Sequence, residues 1–113
     1  MITLWHNPRC SKSRQTLALI EATGKTHIVR KYLEDTPTVQ ELEQAREALG
    51  VTAIEMLRPK EKLFKELGLK RTDDDAALLA AASANPILIE RPIAFDATRA
   101  VIGRPPDAIQ ALL

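Results

Sequence analysis

The chain has 113 residues, of which 45% are hydrophobic and 27% charged, a length and balance that suit one globular domain with a packed core. Its formal net charge is only +1 and no apolar run approaches the roughly 20 residues that span a bilayer, so the composition argues against bulk attraction to nucleic acid and against a membrane-spanning helix. One cysteine cannot form an internal disulfide, and one cysteine with two histidines is too few for the usual four-ligand zinc site, so we expect no structural metal. The first residues do not resemble a signal peptide, and a single thiol suits a reducing compartment, so the sequence predicts a cytoplasmic protein.

The first third of the chain predicts a β-α-β unit. Residues 2–5 are apolar and β-prone, so we expect a buried strand, which the Asn-Pro-Arg sequence at 7–9 then ends. A helix is predicted over residues 11–22, with Gly24 placed to terminate it. The β-branched and aromatic residues of 26–33 predict a second strand, parallel to the first.

The middle third predicts a helical insertion over about residues 38–84. Thr38 and Thr52 are each followed three residues later by glutamate, the spacing of a capping box that opens a helix. The first helix should end near Gly50, and the second should be short because Pro59 disfavours a helical residue before it. Two more helices are predicted over 60–67 and from about Thr72 to 84, the latter with three aspartates in its first turn.

Strand character returns near the end of the chain. We expect strands at 87–89, 93–95 and 99–102, the last two paired as an antiparallel hairpin, and a final helix after Pro105-Pro106. The whole order predicts a single α/β domain over residues 1–113, with a thioredoxin-like core of β-α-β and β-β-α halves around the helical insertion.

Cys10 lies at the predicted start of the first helix. Free backbone amides and the positive end of a helix dipole favour a thiolate there, and Arg9, Lys12 and Arg14 add positive charge. His6 would lower the pKa of the thiol further if it approached as a cation. The alternative is that a lone cysteine is a buried apolar filler and His6 a structural residue, but the placement of Cys10 favours a reactive thiol.

Three arginines precede prolines at the ends of predicted elements, namely Arg58, Arg91 and Arg104. The planar donor fork of arginine suits tetrahedral oxyanions, which accept bidentate hydrogen bonds. Any single Arg-Pro pair would be explained as a surface loop. The three pairs together with Cys10 favour a shared anion site beside the thiol.

Four segments carry a resemblance to a known family: 6–14 (HNPRCSKSR), 57–58 (LR), 86–93 (PILIERPI) and 103–106 (GRPP). They closely resemble the glutaredoxin-coupled arsenate reductases, and the likeness covers nearly the whole chain. The resemblance implies a thioredoxin-like fold with an inserted helical bundle and a cis peptide bond before Pro92. The chain looks most similar to the short, chromosomal branch of that family.

The resemblance also implies roles for individual residues. Cys10 matches the nucleophile that attacks arsenate, and His6 matches a histidine that tunes it. The substrate-binding positions of the family fall on Arg58, Arg91, Arg104, Ser13 and Arg14. With no bound cofactor and no second cysteine, glutathione would attack the adduct and glutaredoxin would reduce the resulting mixed disulfide.

Two other functions stay open from the sequence. Related proteins of this fold are redox-responsive regulators that bind RNA polymerase; they carry a Cys-x-x-Cys switch, where this chain has Cys10-Ser11-Lys12-Ser13. A monothiol protein that handles glutathione without an arsenate substrate is the other alternative. An arsenate reductase would turn over arsenate, whereas neither of these two alternatives would.

Overall fold

Strand β1 (Ile2–Trp5) lies inside a four-stranded sheet in the computed structural model, which describes every residue from Met1 to Leu113. The sheet order is β2-β1-β3-β4. β1 pairs in parallel with β2 and antiparallel with β3, which in turn pairs antiparallel with β4. The other strands are β2 (His27–Arg30), β3 (Ile93–Phe95) and β4 (Ala100–Ile102).

The chain divides into two compact units. The sheet unit consists of Met1–Asp35 and Arg91–Leu113, and the helical unit of Thr36–Glu90. The predicted insertion at about 38–84 falls inside the helical unit. None of the helices combines the length and apolar character that a membrane crossing requires.

The sheet unit is organised around a small apolar core. Helix α1 (Ser11–Ala22) has the predicted bounds. The helix ends at Thr23, and the next residue, Gly24, adopts a left-handed backbone conformation (φ 71°). Glycine adopts this conformation readily because it has no Cβ atom. The core residues are Ile2, Leu4, Ile20, Ala94, Ile109 and Leu112. Because β1 and α1 share this core, the loop between them is anchored at both ends.

The helical unit begins with helix α2 (Val39–Leu49), and both expected capping-box bonds form. The amide of Glu41 donates to the Thr38 hydroxyl at 3.1 Å, and the amide of Thr38 donates to the Glu41 carboxylate at 3.0 Å. The box at Thr52 opens a 3₁₀ helix (Ala53–Met56) instead of an α-helix. Helices α3 (Lys62–Glu66) and α4 (Asp75–Ala84) complete this unit.

The predicted strand at 87–89 is wrong. Residues Pro86–Leu88 form a 3₁₀ helix with proline in its first turn, and only an isolated antiparallel bridge joins Leu57 to Ile89. Leu88 and Ile89 are buried whereas Ile87 is exposed, and periodicity cannot distinguish a strand from a helical turn over so few residues. The preceding Asn-Pro sequence favoured the turn.

Three further boundaries differ from the predictions. The second strand stops at Arg30, so Tyr32 lies in a turn and not in the sheet. Only Asp75 lies in the first turn of α4, because Asp74 is its N-cap and accepts a hydrogen bond from the amide of Ala77 at 2.8 Å. The final helix is a 3₁₀ helix over Pro106–Leu112.

Candidate active site

Cys10 is the N-cap residue of α1, half-buried and with an extended backbone (φ −95°, ψ 123°). Burial by itself would raise the pKa of the thiol. Hydrogen bonding from the backbone amide of Ser13, from the side chain of Arg91 and from the amide of Lys12 outweighs burial, so the pKa of Cys10 is lowered from its ordinary value. The helix start therefore favours the nucleophilic thiolate, as the sequence predicted.

Two of the three predicted arginines accompany Cys10 in the sheet unit. The guanidinium of Arg104 donates from Nη1 to the sulfur of Cys10 at 3.9 Å and to the backbone carbonyl of Arg91 at 3.1 Å. Arg91 acts on the thiolate through its own side chain. The peptide bonds before Pro92 and Pro105 are both cis, and the first confirms the expectation from the resemblance. A thiolate and two guanidinium groups thus lie at one place.

His6 and Ser13 form a buried pair behind the thiol loop. The hydroxyl of Ser13 lies 2.6 Å from Nδ1 of His6 and accepts the backbone amide of Asn7 at 3.0 Å. Burial lowers the pKa of His6, and the positive charges of Lys31 and Arg14 lower it further. His6 is therefore neutral at neutral pH and does not supply the positive charge considered from the sequence. Its partner Ser13 reaches the sulfur through its amide, not its hydroxyl.

Arg14 also has a local structural contact. Its Nη1 donates to the carbonyl of Pro8 at 2.9 Å, which fixes the loop that precedes Cys10. The same loop is held by the amide of Arg9, which donates to Oδ1 of Asn7 at 3.0 Å, and by the amide of Cys10, which donates to the carbonyl of Asn7 at 3.0 Å. These contacts preorganise the thiol position before any substrate binds.

Arg58 lies in the helical unit. Its backbone amide donates to the carbonyl of Leu88 at 2.7 Å, and its Nε lies 3.4 Å from a carboxylate oxygen of Glu61. Its Nη1 is buried without a hydrogen-bond partner. The convergence of Arg58 with Cys10 stays a prediction.

Asn7 and Gly103 also belong to the site, although the sequence did not indicate a role there for either. The sequence context of Asn7 indicates only the end of a strand, whereas in the structure Asn7 is buried and organises the loop through its backbone and side chain. Gly103 packs against Thr16 and Pro92, and its amide donates to the carbonyl of Pro92 at 2.9 Å. The signal available for Gly103 was its position directly before Arg104, between a strand and a proline pair.

The lowered pKa of Cys10 predicts the pH dependence of its alkylation. Since only the thiolate reacts, the rate with iodoacetamide should fall on acidification with a midpoint below the free-thiol value of about 8.5. Unfolding the same protein in guanidinium chloride removes the helix amides and Arg91, so the midpoint should then move up to that value. The chain has one cysteine, so every alkylation event reports on Cys10. Equal midpoints in the folded and unfolded protein would contradict an activated thiol.

The fold and the site together define a thioredoxin-like protein with a single reactive thiol. The sequence profile of the ArsC family matches residues 5–112. The chain is 41% identical to an arsenate reductase of Haemophilus influenzae over 99% of this chain and 98% of the other. It is 44% identical to an arsenate reductase of Neisseria meningitidis, over 99% and 97%. The structure of an arsenate reductase from Vibrio cholerae superposes with a TM-score of 0.94 at 46% identity, covering 99% and 97%. The chain belongs to the ArsC family.

Proposed function

We propose that this protein reduces arsenate to arsenite, with Cys10 as nucleophile and glutathione as the reductant. The observation that carries the proposal is the thiolate of Cys10 beside the guanidinium groups of Arg91 and Arg104. Relatives at 41% and 44% identity that bear the name arsenate reductase cover almost the entire chain, which supports the choice of oxyanion. We also propose a cytoplasmic location, which the need to keep a lone thiol reduced supports.

The chemistry is a two-electron transfer from thiols to arsenic. The sulfur of Cys10 bonds to As(V) and displaces one oxygen, which leaves as water after taking up protons. The glutathione thiol, after losing its proton, then attacks the sulfur of Cys10, and the sulfur–arsenic bond breaks with its electron pair going to arsenic. Arsenic leaves as As(III), and the two sulfurs that gave the electrons form a mixed disulfide between Cys10 and glutathione. Because the chain has no second cysteine, glutaredoxin must reduce this disulfide to restore the thiol.

The arginines stabilise charge during these steps. Arg91 and Arg104 present planar donors that match arsenate oxygens, and Arg91 also favours the ionised form of Cys10. Ser13 and His6 act indirectly, since their mutual hydrogen bond and the amide of Ser13 hold the loop around the sulfur. Arg14 fixes that loop through the carbonyl of Pro8.

For Arg58 the family resemblance supports a third anion contact. Loss of one charge-assisted contact to a bound anion costs about 1.5–3 kcal/mol, so Arg58→Gln should raise the KM for arsenate by roughly 10- to 100-fold. The alkylation midpoint of Cys10 serves as an internal control for the integrity of the thiol site. The exposed Arg71→Gln, also in the helical unit, is the matched charge control and should leave KM unchanged. An unchanged KM in Arg58→Gln would remove Arg58 from the anion site.

The decisive experiment is a coupled assay with arsenate, glutathione and glutaredoxin, in which arsenite is quantified directly. Repeated turnover to arsenite should require all three. Omission of glutaredoxin should allow about one turnover and leave a glutathione adduct on Cys10, visible as a mass increase of the intact protein. If that adduct forms without arsenate and no arsenite appears, the protein handles glutathione by another reaction and the arsenate proposal is wrong.

A further inference from the structure

A cavity of about 320 Å³ lies in the sheet unit beside the thiol loop, and the mechanism above leaves it unused. One wall consists of residues 6–9, which lead directly into Cys10, and the other belongs to the turn after β2. The amide of His6 donates to the carbonyl of Arg30 at 2.8 Å, so a backbone hydrogen bond joins the two walls. The volume lies at the lower end of the range of small-molecule sites, roughly 300–1,000 Å³.

The cavity carries two positive charges that have no partner within the protein. Arg9 lies on one wall and Lys31 on the other, both residues are exposed, and neither side chain makes a hydrogen bond or an ion pair. Arg14 and Lys25, by contrast, each donate to a backbone carbonyl. Glu34 lines the same cavity, and its carboxylate also makes no ion pair. The cavity therefore presents two cations and one carboxylate to a ligand.

This set of charges is complementary to that of glutathione. The tripeptide carries two carboxylates, one on its γ-glutamyl residue and one on its glycine, and a single ammonium group. The two carboxylates can pair with Arg9 and Lys31 while the ammonium pairs with Glu34. Leu33, which is 39% exposed in the same wall, offers an apolar contact for the methylene groups of the ligand. A simple oxyanion has neither the ammonium nor the methylene groups that these residues would recognise.

We propose that this cavity binds glutathione and delivers it to Cys10 from the side of residues 6–9. Arg91 and Arg104, which are assigned to the oxyanion, do not line the cavity, so the two substrates use different side chains around one sulfur. The role of glutathione as the reductant rests on the proposed function. Its binding to the cavity needs no arsenate and can be measured separately.

Titration with S-methylglutathione tests the binding, because this ligand keeps all three charges but has no free thiol. In ¹H–¹⁵N spectra, the amides of Arg9, Lys31, Leu33 and Glu34 should shift at millimolar ligand. Arg9→Gln and Lys31→Gln should each raise the Kd about two- to fivefold, as expected for an exposed ion pair, and the double variant about tenfold. Arg71→Gln, in the helical unit, is the charge control and should leave the Kd unchanged. Shifts confined to other amides, or an unchanged Kd in the double variant, overturn the proposal.

A second measurement tests whether the bound ligand reaches the sulfur. The thiolate of Cys10 attacks one sulfur of oxidised glutathione, which forms a mixed disulfide and releases one glutathione thiolate. The uncharged bis(2-hydroxyethyl) disulfide reacts in the same way and reports the intrinsic reactivity of the thiol.

The ratio of the two rate constants should fall about tenfold in the Arg9→Gln/Lys31→Gln double variant and stay constant in Arg71→Gln. An ionic strength of about 0.15 M screens long-range attraction of the anionic disulfide. An unchanged ratio in the double variant overturns the proposal. If the ratio falls but the coupled assay yields no arsenite, the glutathione site holds and only the arsenate proposal is wrong. If arsenite forms while the ratio and the Kd are unchanged in the double variant, only the glutathione site is wrong.

Discussion

Cys10→Ser should lower glutathione-dependent arsenate reduction to the background rate. A serine hydroxyl is not ionised near neutral pH, and its oxygen can neither form the mixed disulfide nor release electrons to arsenic. The fold should survive, because Cys10 is an N-cap and serine is among the preferred N-cap residues. We expect the free energy of unfolding to change by less than about 1 kcal/mol. Arsenite quantification and thermal unfolding followed by circular dichroism measure the two quantities.

Binding of arsenate supplies the control for this variant. Cys10→Ser keeps Arg91 and Arg104, so arsenate should still bind to this variant in a calorimetric titration. Loss of both binding and turnover would mean that the substitution disturbed the anion site and not only the nucleophile. Arsenite production above background by a folded Cys10→Ser would rule out the thiol mechanism, since the chain has no other cysteine.

Local signals in the sequence predicted the elements that carry the thiol. The bounds of α1 and of β1 follow from an apolar run, a proline-broken loop and a terminating glycine, all of which act within a few residues. The capping box at Thr38 likewise fixed the start of α2 correctly. Cys10 could be placed at a helix N-terminus for the same reason, because the chemistry of that position depends on its immediate neighbours.

Elements decided by tertiary packing were not predictable in this way. The segment at 86–89 has the composition of a strand, yet it forms a 3₁₀ turn with a single bridge between Leu57 and Ile89. Tyr32 has high β propensity, yet the second strand ends two residues before it and its ring is fully buried. Propensity describes a half-buried pleated surface and gives no information about a turn that inserts an aromatic ring into a core.

In the site, too, some features could be predicted from the sequence and others depend on tertiary packing. That Arg91 and Arg104 lie beside Cys10 was inferred from their shared Arg-Pro context and from the resemblance, and the structure places both near the sulfur. Ser13 and His6 form a buried hydrogen bond, and burial keeps His6 neutral. Burial of these two residues could not be predicted from the sequence. The close packing at Gly103 depends on residues that are far apart in the chain.

Gly103→Ala should damage both stability and activity. A Cβ at this position would lie 2.6 Å from Oγ1 of Thr16 and 2.8 Å from Cγ of Pro92, and all three residues are buried. Overpacking of this kind costs about 1–3 kcal/mol, which for a chain of this size corresponds to a fall in Tm of roughly 5–15 °C. Because Pro92 follows Arg91 and Gly103 precedes Arg104, we expect a backbone shift that relieves the clash with Pro92 to displace the arginines.

The activity loss should exceed what unfolding explains. Displacement of catalytic groups by about 1 Å can cost roughly 100-fold, so we expect kcat/KM for arsenate to fall about 10- to 100-fold at a temperature where the variant is fully folded. The alkylation midpoint of Cys10 should rise in the same variant, because Arg91 contributes to its lowered pKa. Both readouts respond to the positions of the arginines, whereas Tm responds to packing in general.

Two companion variants isolate the contact. In Gly24→Ala the added Cβ meets no atom within 4 Å, so only the cost of the left-handed backbone remains, about 1 kcal/mol, with activity unchanged. Thr16→Ala in the Gly103→Ala background removes the shortest contact and should restore part of the lost kcat/KM. Two independent sites would give additive effects, so this recovery would show that the two residues are coupled. If Gly103→Ala retains wild-type activity and an unshifted alkylation midpoint, the close approach between Gly103 and Pro92 does not position the arginines, and their placement must depend on the strands alone.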